Sequence, residues 1–264
     1  MRLPFPLLLL TALSALAWDC PQCSADNQGT FCSDCHLPEP PDGMAFVPSC
    51  TVEINGQEVE VSRFFIDSEP VSYRDMIPWL NNSGFGAREL GAVITGGGEE
   101  SMEFLAFTPF TGDENGGITV PSQCLENPAA SITWSGAQSF LSEAGKRLPT
   151  LGEMYAAREA GLLQQYDAYE AMLAFSGQMR ASMGEMLGTL STQAMFAGYS
   201  TASERVMWEL TGTVWGGDPM ERAPFPNVSY ITILKPLDQP DITSIHRDNG
   251  YFNVIFRGAI EVPE

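Results

Sequence analysis

Residues 134–158 read WSGAQSFLSEAGKRLPTLGEMYAAR, and the rest of the chain can be placed by its distance from them. Ser135 is predicted to N-cap a helix, because its side-chain oxygen can accept a hydrogen bond from a free backbone amide. The apolar residues of this helix recur at helical spacing, at Ala137, Phe140, Leu141 and Ala144. Gly145 is expected to end the helix. The pattern predicts an amphipathic helix that packs on one side.

A rigid link and a second helix follow at once. Pro149 disfavours helical backbone at the residue before it, so Leu148 is expected to be extended. Thr150, with Glu153 three residues later, has the spacing of a capping box. The stretch therefore predicts a helix, a short extended link and a second helix.

The same stretch resembles the formylglycine-generating (sulfatase-modifying factor) family, in which R-L-P-T precedes a helix with an early glutamate. The matching residues are Ile132, Thr133, Trp134, Ala137, Phe140, Gly145, Arg147, Leu148, Pro149, Thr150, Glu153 and Ala157. Leu141 stands where the family often has cysteine, and Met154 where it has tryptophan. The resemblance implies an α+β domain with a C-type-lectin-like fold.

Further blocks carry the resemblance along the chain. Strands are predicted at 44–48 and 59–66, with Asn55-Gly56 as a hairpin turn, and a helix is predicted from about 73 to 80. They are similar to the opening of the family domain. A strand at 228–234 and a closing strand at 250–257, which ends in Arg257, complete the domain.

Residues 208–215, WELTGTVW, resemble a family loop that supports a calcium site. Thr213 replaces the family's asparagine, and Gly216-Gly217 replace Glu-Trp, so two oxygen-bearing side chains are lost. Calcium is the ion that the resemblance implies here. Residues expected to be structural rather than catalytic are Arg147, Leu148, Pro149, Thr150, Glu153, Gly212, Trp215 and Arg257.

Composition bounds the function. The chain has 264 residues, 44% of them hydrophobic, which is enough for a real core. Thirteen Lys and Arg against thirty-three Asp and Glu give a formal net charge of −20. This charge argues against nucleic acid as a partner and is compatible with cations or basic partners, or with a simple solvated acidic surface. A protein or a glycan is the expected ligand.

The N-terminus predicts export. Residues 1–17, MRLPFPLLLLTALSALA, combine an early arginine, a short apolar run and an A-x-A cleavage signal. We read them as a signal peptide and expect a periplasmic or extracellular protein. No later stretch is apolar for long enough to cross a membrane.

Residues 18–36 contain two C-x-x-C knuckles, formed by Cys20, Cys23, Cys32 and Cys35. Four thiolates at this spacing can bind zinc tetrahedrally, as in a zinc ribbon. Two disulfides are the alternative in an oxidising compartment. Covalent haem is another, because Cys32-Ser-Asp-Cys35-His36 fits C-x-x-C-H with His36 as axial ligand. A proline-rich linker at 37–43 is predicted to separate this module from a main domain at 44–264.

The other two cysteines are Cys50 and Cys124. In an oxidising compartment they are expected either to form a disulfide or to remain as free buried thiols. The enzymes of the family hold copper with a cysteine pair near the C-terminus, but this chain has no cysteine after Cys124. Histidine-rich iron chemistry is also unsupported, because the only histidines are His36 and His246. The sequence predicts a non-catalytic binding or structural module, with a divergent metal-dependent oxidase or a c-type haem protein as alternatives.

Overall fold

The structure is a computed structural model, and it describes residues 17–28, 30–94, 108–112, 117–167, 205–224, 227–238 and 240–262. The predicted signal peptide at 1–17 lies outside these residues except for its last position. Helices and sheets are mixed along the chain, so the predicted α+β class is confirmed. Among the described residues, none of the helices is both long and apolar enough to span a bilayer.

The chain between residues 18 and 67 is built from short antiparallel strands. Strands β1 (Trp18–Asp19) and β2 (Asp26–Asn27) form a small hairpin in the cysteine module. Strand β3 (Met44–Val47) precedes a hairpin of β4 (Cys50–Ile54) and β5 (Gln57–Val61), and β6 (Phe64–Asp67) follows. The last strand of the chain, β13 (Ala259–Glu261), pairs with β6, and a three-stranded sheet with the order β13-β6-β3 results.

The predicted turn at Asn55-Gly56 is confirmed, because both residues have positive φ, at 52° and 79°. The strand predicted at 59–66 is in fact β5 and β6, which are separated by Ser62 and Arg63 and belong to different sheets. The turn therefore joins β4 to β5.

Four helices lie between the strands of the described chain. Helix α1 (Tyr73–Asn82) begins with a capping box of Ser72 and Asp75, and α2 (Ala87–Val93) follows it. Strands β7 (Thr111–Gly112) and β8 (Ile118–Thr119) form a short hairpin ahead of a 3-10 turn at Ser122–Cys124.

Helices α3 (Trp134–Glu143) and α4 (Leu151–Glu159) are the two predicted in the central stretch. The N-cap of α3 is Thr133 rather than the predicted Ser135, because the Thr133 hydroxyl accepts a hydrogen bond from the Gly136 amide. The capping box of α4 is confirmed, with Thr150 and Glu153 bonding to each other's backbone amides.

A four-stranded sheet closes the domain, with strands β9 (Trp208–Val214), β10 (Tyr230–Lys235), β11 (Asp241–His246) and β12 (Val254–Ile255) in the order β11-β10-β9-β12. The strand predicted at 228–234 corresponds to β10. Only two residues of the predicted closing strand at 250–257 form a strand, β12, because the chain leaves this sheet at Phe256 and joins the three-stranded sheet as β13.

Two hydrophobic cores fill the main domain. The larger one contains residues of α1, α2, α3 and the four-stranded sheet, and Trp134 is fully buried in it. The indole of Trp134 donates a hydrogen bond to the Thr211 carbonyl of β9 at 3.0 Å. The smaller core lies among α4, the β4–β5 hairpin and one face of the three-stranded sheet.

Candidate functional site

The four knuckle cysteines converge. Their Sγ atoms all lie within 4.8 Å of one another, with 3.5 Å between Cys20 and Cys35 and 3.4 Å between Cys23 and Cys32. These separations are far longer than the roughly 2.05 Å of a disulfide. They are close to the ~3.8 Å edge of a thiolate tetrahedron with zinc–sulfur bonds of about 2.3 Å. The four thiols are thus close enough to bind one metal ion together.

The two knuckles have the same backbone geometry. In each, the residue after the second cysteine has positive φ, 60° at Ser24 and 59° at His36, and its amide donates to the carbonyl of the first cysteine. The first cysteine in turn donates its amide to the carbonyl two residues past the second, at Ala25 and at Leu37. The sequence therefore builds two copies of one turn that face each other.

These turns also aim backbone amides at the sulfurs. Desolvation by burial works to raise the pKa of the Cys32 thiol, but hydrogen bonds from the amides of Cys35 and Asp34 lower this pKa to about 6. The amide of Ala25 works in the same direction on Cys23, whereas sharing a proton with Cys32 raises the pKa of Cys23 to about 12. The Cys32 thiol thus loses its proton readily, whereas Cys23 and Cys35, whose pKa values are raised, would need a bound cation to ionise them.

The donor set fits an ion such as zinc. Four thiolates in a closed cluster with no free coordination position are the ligands of a structural zinc site. The geometry fits covalent haem less well. Haem attachment requires Cys32 and Cys35 to face a porphyrin, whereas here both lie against the other two thiols. His36, the axial ligand of that alternative, is exposed.

The cysteine module also packs against the main domain. Cys20, Cys32 and Leu37 are buried in one cluster with Met44 and Phe65 of the three-stranded sheet and with Val262, which follows β13. Phe46 and Ile260 lie at its margin. Side chains alternate across a sheet, and the intervening residues of the same strands face the smaller core. The module therefore covers the outer face of this sheet, and Leu37, the first residue of the predicted linker at 37–43, is buried in the same cluster.

The R-L-P-T motif fixes the start of α4. Arg147 donates two hydrogen bonds to the Glu153 carboxylate, at 2.7 and 2.6 Å, and Glu153 simultaneously caps the helix at the Thr150 amide. Leu148 is fully buried in the larger core, and Pro149 accepts a hydrogen bond from the Gly212 amide at 2.7 Å. These motif residues thus join the link between α3 and α4 to β9.

A cleft of about 960 Å³ lies where the cysteine module meets this motif. Gln22 lines it from the module, and Arg147 and Glu153 line it from the motif. Glu261 of β13 also lines it, lies 3.5 Å from Arg147 Nε, and forms an ion pair with Arg222. The charged groups of the cleft are therefore largely paired with one another.

Arg257 is fully buried and holds three parts of the chain together. It donates hydrogen bonds to Glu209 of β9 and to the carbonyls of Asp67 and Ser68 after β6. Desolvation by burial works to lower the pKa of Arg257, but the Glu209 carboxylate raises it above its ordinary value. Asp67 in turn accepts the Gly258 amide at 2.7 Å and the Lys146 ammonium at 2.6 Å.

The family loop at the end of β9 is used structurally. The Thr213 hydroxyl accepts a hydrogen bond from the Leu151 amide at 2.9 Å and donates to the Pro219 carbonyl at 3.3 Å. A Cβ built on Gly212 would lie 3.2 Å from the Leu148 carbonyl oxygen. A side chain at this position would therefore crowd the link between α3 and α4. Trp215 is exposed. The Thr213 oxygen already has two protein partners. Calcium binding at this loop stays a prediction.

The structure does not bring Cys50 and Cys124 together. Both thiols are free, and Cys50 lies beside the smaller core whereas Cys124 lies within the larger one. Burial raises the pKa of each thiol, with the Glu159 carboxylate adding to the effect at Cys50. The disulfide prediction is therefore replaced by two separate free thiols, because the two cysteines pack into different cores.

Several partners in these sites could not be named from the sequence. Glu209, the buried partner of Arg257, lies 48 residues away along the chain, and Asp67, which receives Lys146, lies 79 residues away. A carboxylate inside an apolar strand, such as Glu209 in WELTGTV, is the one available signal, since a buried charge requires a partner.

Comparison with known proteins identifies a family for this chain. No curated protein matches the chain. The sulfatase-modifying factor enzyme 1-like domain matches residues 36–214, from the end of the cysteine module to the end of β9. The match covers more than half of the 264 residues and includes the Arg147–Glu153 motif and Glu209. The chain belongs to the sulfatase-modifying factor enzyme 1-like family.

Proposed function

We propose that this chain is an exported, non-catalytic binding module of its family, built on a C-type-lectin-like scaffold and stabilised at its N-terminus by a metal ion, zinc, on Cys20, Cys23, Cys32 and Cys35. A protein or glycan ligand would bind to exposed parts of the scaffold. Such scaffolds vary in function through their surfaces while the framework stays the same.

The observation that carries the proposal is the distribution of thiols. The chain has no cysteine after Cys124, so the segment in which the family's enzymes hold copper offers no thiolate. Cys50 and Cys124 are free but lie in different cores, so they cannot act as a replacement pair without a large rearrangement.

The motif residues support the same conclusion. Arg147, Glu153, Glu209 and Arg257 resemble a family signature, yet their charged groups are bound to one another in buried pairs. Such pairs hold elements of the fold in place, and their carboxylates and guanidinium groups are already bonded to each other. A divergent oxidase built on the knuckle cluster is disfavoured for a related reason, since four protein thiolates leave no coordination position for substrate.

The test is a direct assay. Purified protein is loaded with Cu(I) and given a Cys-x-Pro-x-Arg peptide and oxygen, and aldehyde is measured by mass spectrometry. We expect no more aldehyde than in a control with metal alone. Turnover that is lost in Cys50→Ser or Cys124→Ser would overturn the proposal and restore an enzymatic role.

A further inference from the structure

Two exposed aromatic residues are joined by a backbone hydrogen bond at one end of the four-stranded sheet. Large hydrophobic side chains are exposed at three positions of the described chain, Phe31, Trp215 and Tyr230. Trp215 and Tyr230 are neighbours, because the Trp215 amide donates to the Tyr230 carbonyl at 3.1 Å. They are 46% and 55% exposed. Exposed aromatic residues that adjoin one another mark interaction sites more often than isolated ones do.

His246 extends this pair into a row. It is the direct register partner of Tyr230 across β10 and β11, and the two rings make an edge-on contact with centroids 5.6 Å apart. Residues opposite one another on adjacent strands point to the same face of a sheet. Tyr230 and His246 therefore share one face, and Trp215 adjoins Tyr230 through the backbone hydrogen bond. We call these three residues the aromatic row.

The row stands on a rigid base. Tyr230 is the exposed end of β10, and the other five residues of that strand are buried. β10 is hydrogen-bonded on both sides, to β9 and to β11. Rings held in this way need little further ordering on binding, which favours affinity.

Charged groups of both signs lie beside His246, where the Asp248 carboxylate accepts a hydrogen bond from Arg247 Nε. Asp248 is about half exposed, and its carboxylate lies 4.0 Å from His246 and 3.0 Å from Arg247, whose own side chain is only 17% exposed. Asp218, in the turn that follows Trp215, is exposed. The whole chain carries a formal charge of −20. Aromatic faces with carboxylates beside them attract arginine and lysine side chains, and a net negative field speeds their approach.

We propose that the aromatic row binds an arginine-rich peptide segment of a partner protein, with guanidinium groups over Trp215 and Tyr230 and against Asp248. The inference rests on the proposed binding role and names its surface and its ligand class. Tryptophan and tyrosine are also the residues that contribute most to binding energy at protein interfaces. Arginine suits the row better than lysine because its planar group can stack on a ring and bond a carboxylate at once.

The experiment uses the mature protein and a fluorescent peptide that alternates arginine with glycine and has blocked ends. Fluorescence anisotropy gives the Kd. We expect binding to weaken about tenfold in Trp215→Ala and in Tyr230→Ala, and less in Trp215→Phe, which keeps a ring. Phe31→Ala is the matched control, since Phe31 is 61% exposed but lies in the cysteine module, and its Kd should be unchanged.

Two further arms separate the row from general attraction. A peptide with citrulline in place of arginine keeps the shape but not the charge, and it should bind weakly. Raised salt should weaken peptide binding by the wild type and by Phe31→Ala equally. The difference in Kd between the wild type and Trp215→Ala should remain. Equal Kd values for all variants would show diffuse attraction to an acidic surface, and the proposal would then be wrong.

A neutral oligosaccharide of linked glucose units tests the other class of ligand. If it binds the row more tightly than the peptide does, and loses binding in Trp215→Ala, the ligand class is a glycan and the peptide proposal fails. Failure here is separate from failure of the proposed function. Aldehyde turnover would contradict the non-catalytic role whatever the row binds, and an absence of peptide binding would leave the aldehyde result unaffected.

Discussion

Arg257 and Glu209 form an ion pair that is closed off from solvent, with the Arg257 side chain 0% and the Glu209 side chain 1% exposed. Two hydrogen bonds join them, at 2.6 and 2.9 Å. Arg257 also bonds to carbonyls at the end of β6, so the pair connects the four-stranded sheet to the three-stranded sheet. Removing either partner would leave an uncompensated charge in the interior.

We therefore expect Arg257→Leu and Glu209→Gln each to lower the free energy of unfolding by about 3–5 kcal/mol. Urea denaturation followed by circular dichroism measures the change. The control is Arg74→Ala, because Arg74 and its partner Glu126 are 61% and 71% exposed, and the loss of such a pair costs only about 0–1 kcal/mol. Equal effects of the buried and exposed substitutions would contradict the structural role of the pair.

This pair shows how far the sequence could lead. Arg257 was identifiable because it ends a run that resembles a family strand, but its partner depends on how two sheets meet. Local sequence patterns did predict local structure, since the Thr150–Glu153 capping box and the Asn55-Gly56 turn are both present. The predicted Ser135 cap was wrong. Thr133 caps α3 through the Gly136 amide, so Ser135 lies inside the first turn of the helix. Its hydroxyl is buried without a hydrogen-bond partner.

The second prediction concerns metal content. Mature protein should contain about one zinc ion per chain and lose it to a chelator, because four thiolates converge on one point. Cys23→Ser should abolish stoichiometric binding. Cys50→Ser is the matched control and should leave the metal in place, since Cys50 lies outside the cluster. Two disulfides by mass spectrometry, or a covalent haem with a Soret band, would contradict the zinc assignment.

Acid should release the metal as well. Thiolates must stay deprotonated to bind zinc, so affinity falls as pH falls and protons compete for the sulfurs. We expect the metal content after dialysis to decrease with decreasing pH and to recover when the pH is raised in the presence of zinc. Metal content that does not change with pH would argue against thiolate ligands.

The third prediction follows from the contact between the cysteine module and the three-stranded sheet. The module covers the sheet face that carries Met44 and Phe65, and a segment of this size cannot order itself without metal or cross-links. Metal removal should therefore expose this face. Hydrogen exchange should accelerate in β3, β6 and β13 and leave β10 and β11 nearly unchanged. Equal acceleration in both sheets would indicate global unfolding instead.

The placement of this module is a second limit of sequence analysis. Spacing was enough to gather four cysteines, because each knuckle is a local turn. Nothing local indicated that Ile260 of β13 and the following Val262, at the other end of the chain, would pack in one cluster with Cys20. Contacts between distant segments depend on the whole fold, so local sequence patterns could not predict them.

The fourth prediction concerns Arg147. Arg147→Ala removes two hydrogen bonds to Glu153, whose side chain is only 6% exposed, and leaves that carboxylate poorly compensated. We expect the free energy of unfolding to fall by about 2–4 kcal/mol and the melting temperature to decrease. Arg222→Ala, at a 53% exposed side chain in the same cleft, is the control and should change stability little. Unchanged stability of Arg147→Ala together with loss of peptide binding would give Arg147 a binding role instead.

The last prediction tests the contact between α2 and α3. Gly136 lies in the first turn of α3, and a Cβ built there would be 2.8 Å from the Val93 carbonyl oxygen and 2.9 Å from a Val93 side-chain carbon. Both distances are shorter than van der Waals contact, and the backbone oxygen cannot rotate away.

Gly136→Ala should therefore push the two helices apart. The Thr133 amide bonds to the same Val93 carbonyl at 2.8 Å, so the N-cap of α3 would be disturbed at the same time. We expect the free energy of unfolding to fall by about 1–3 kcal/mol, even though alanine forms helices more readily than glycine. Gly112→Ala is the matched control, because nothing lies within 4 Å of a Cβ there and its φ is not positive. If Gly136→Ala were as stable as Gly112→Ala in urea denaturation, the close approach of α2 to α3 would be wrong.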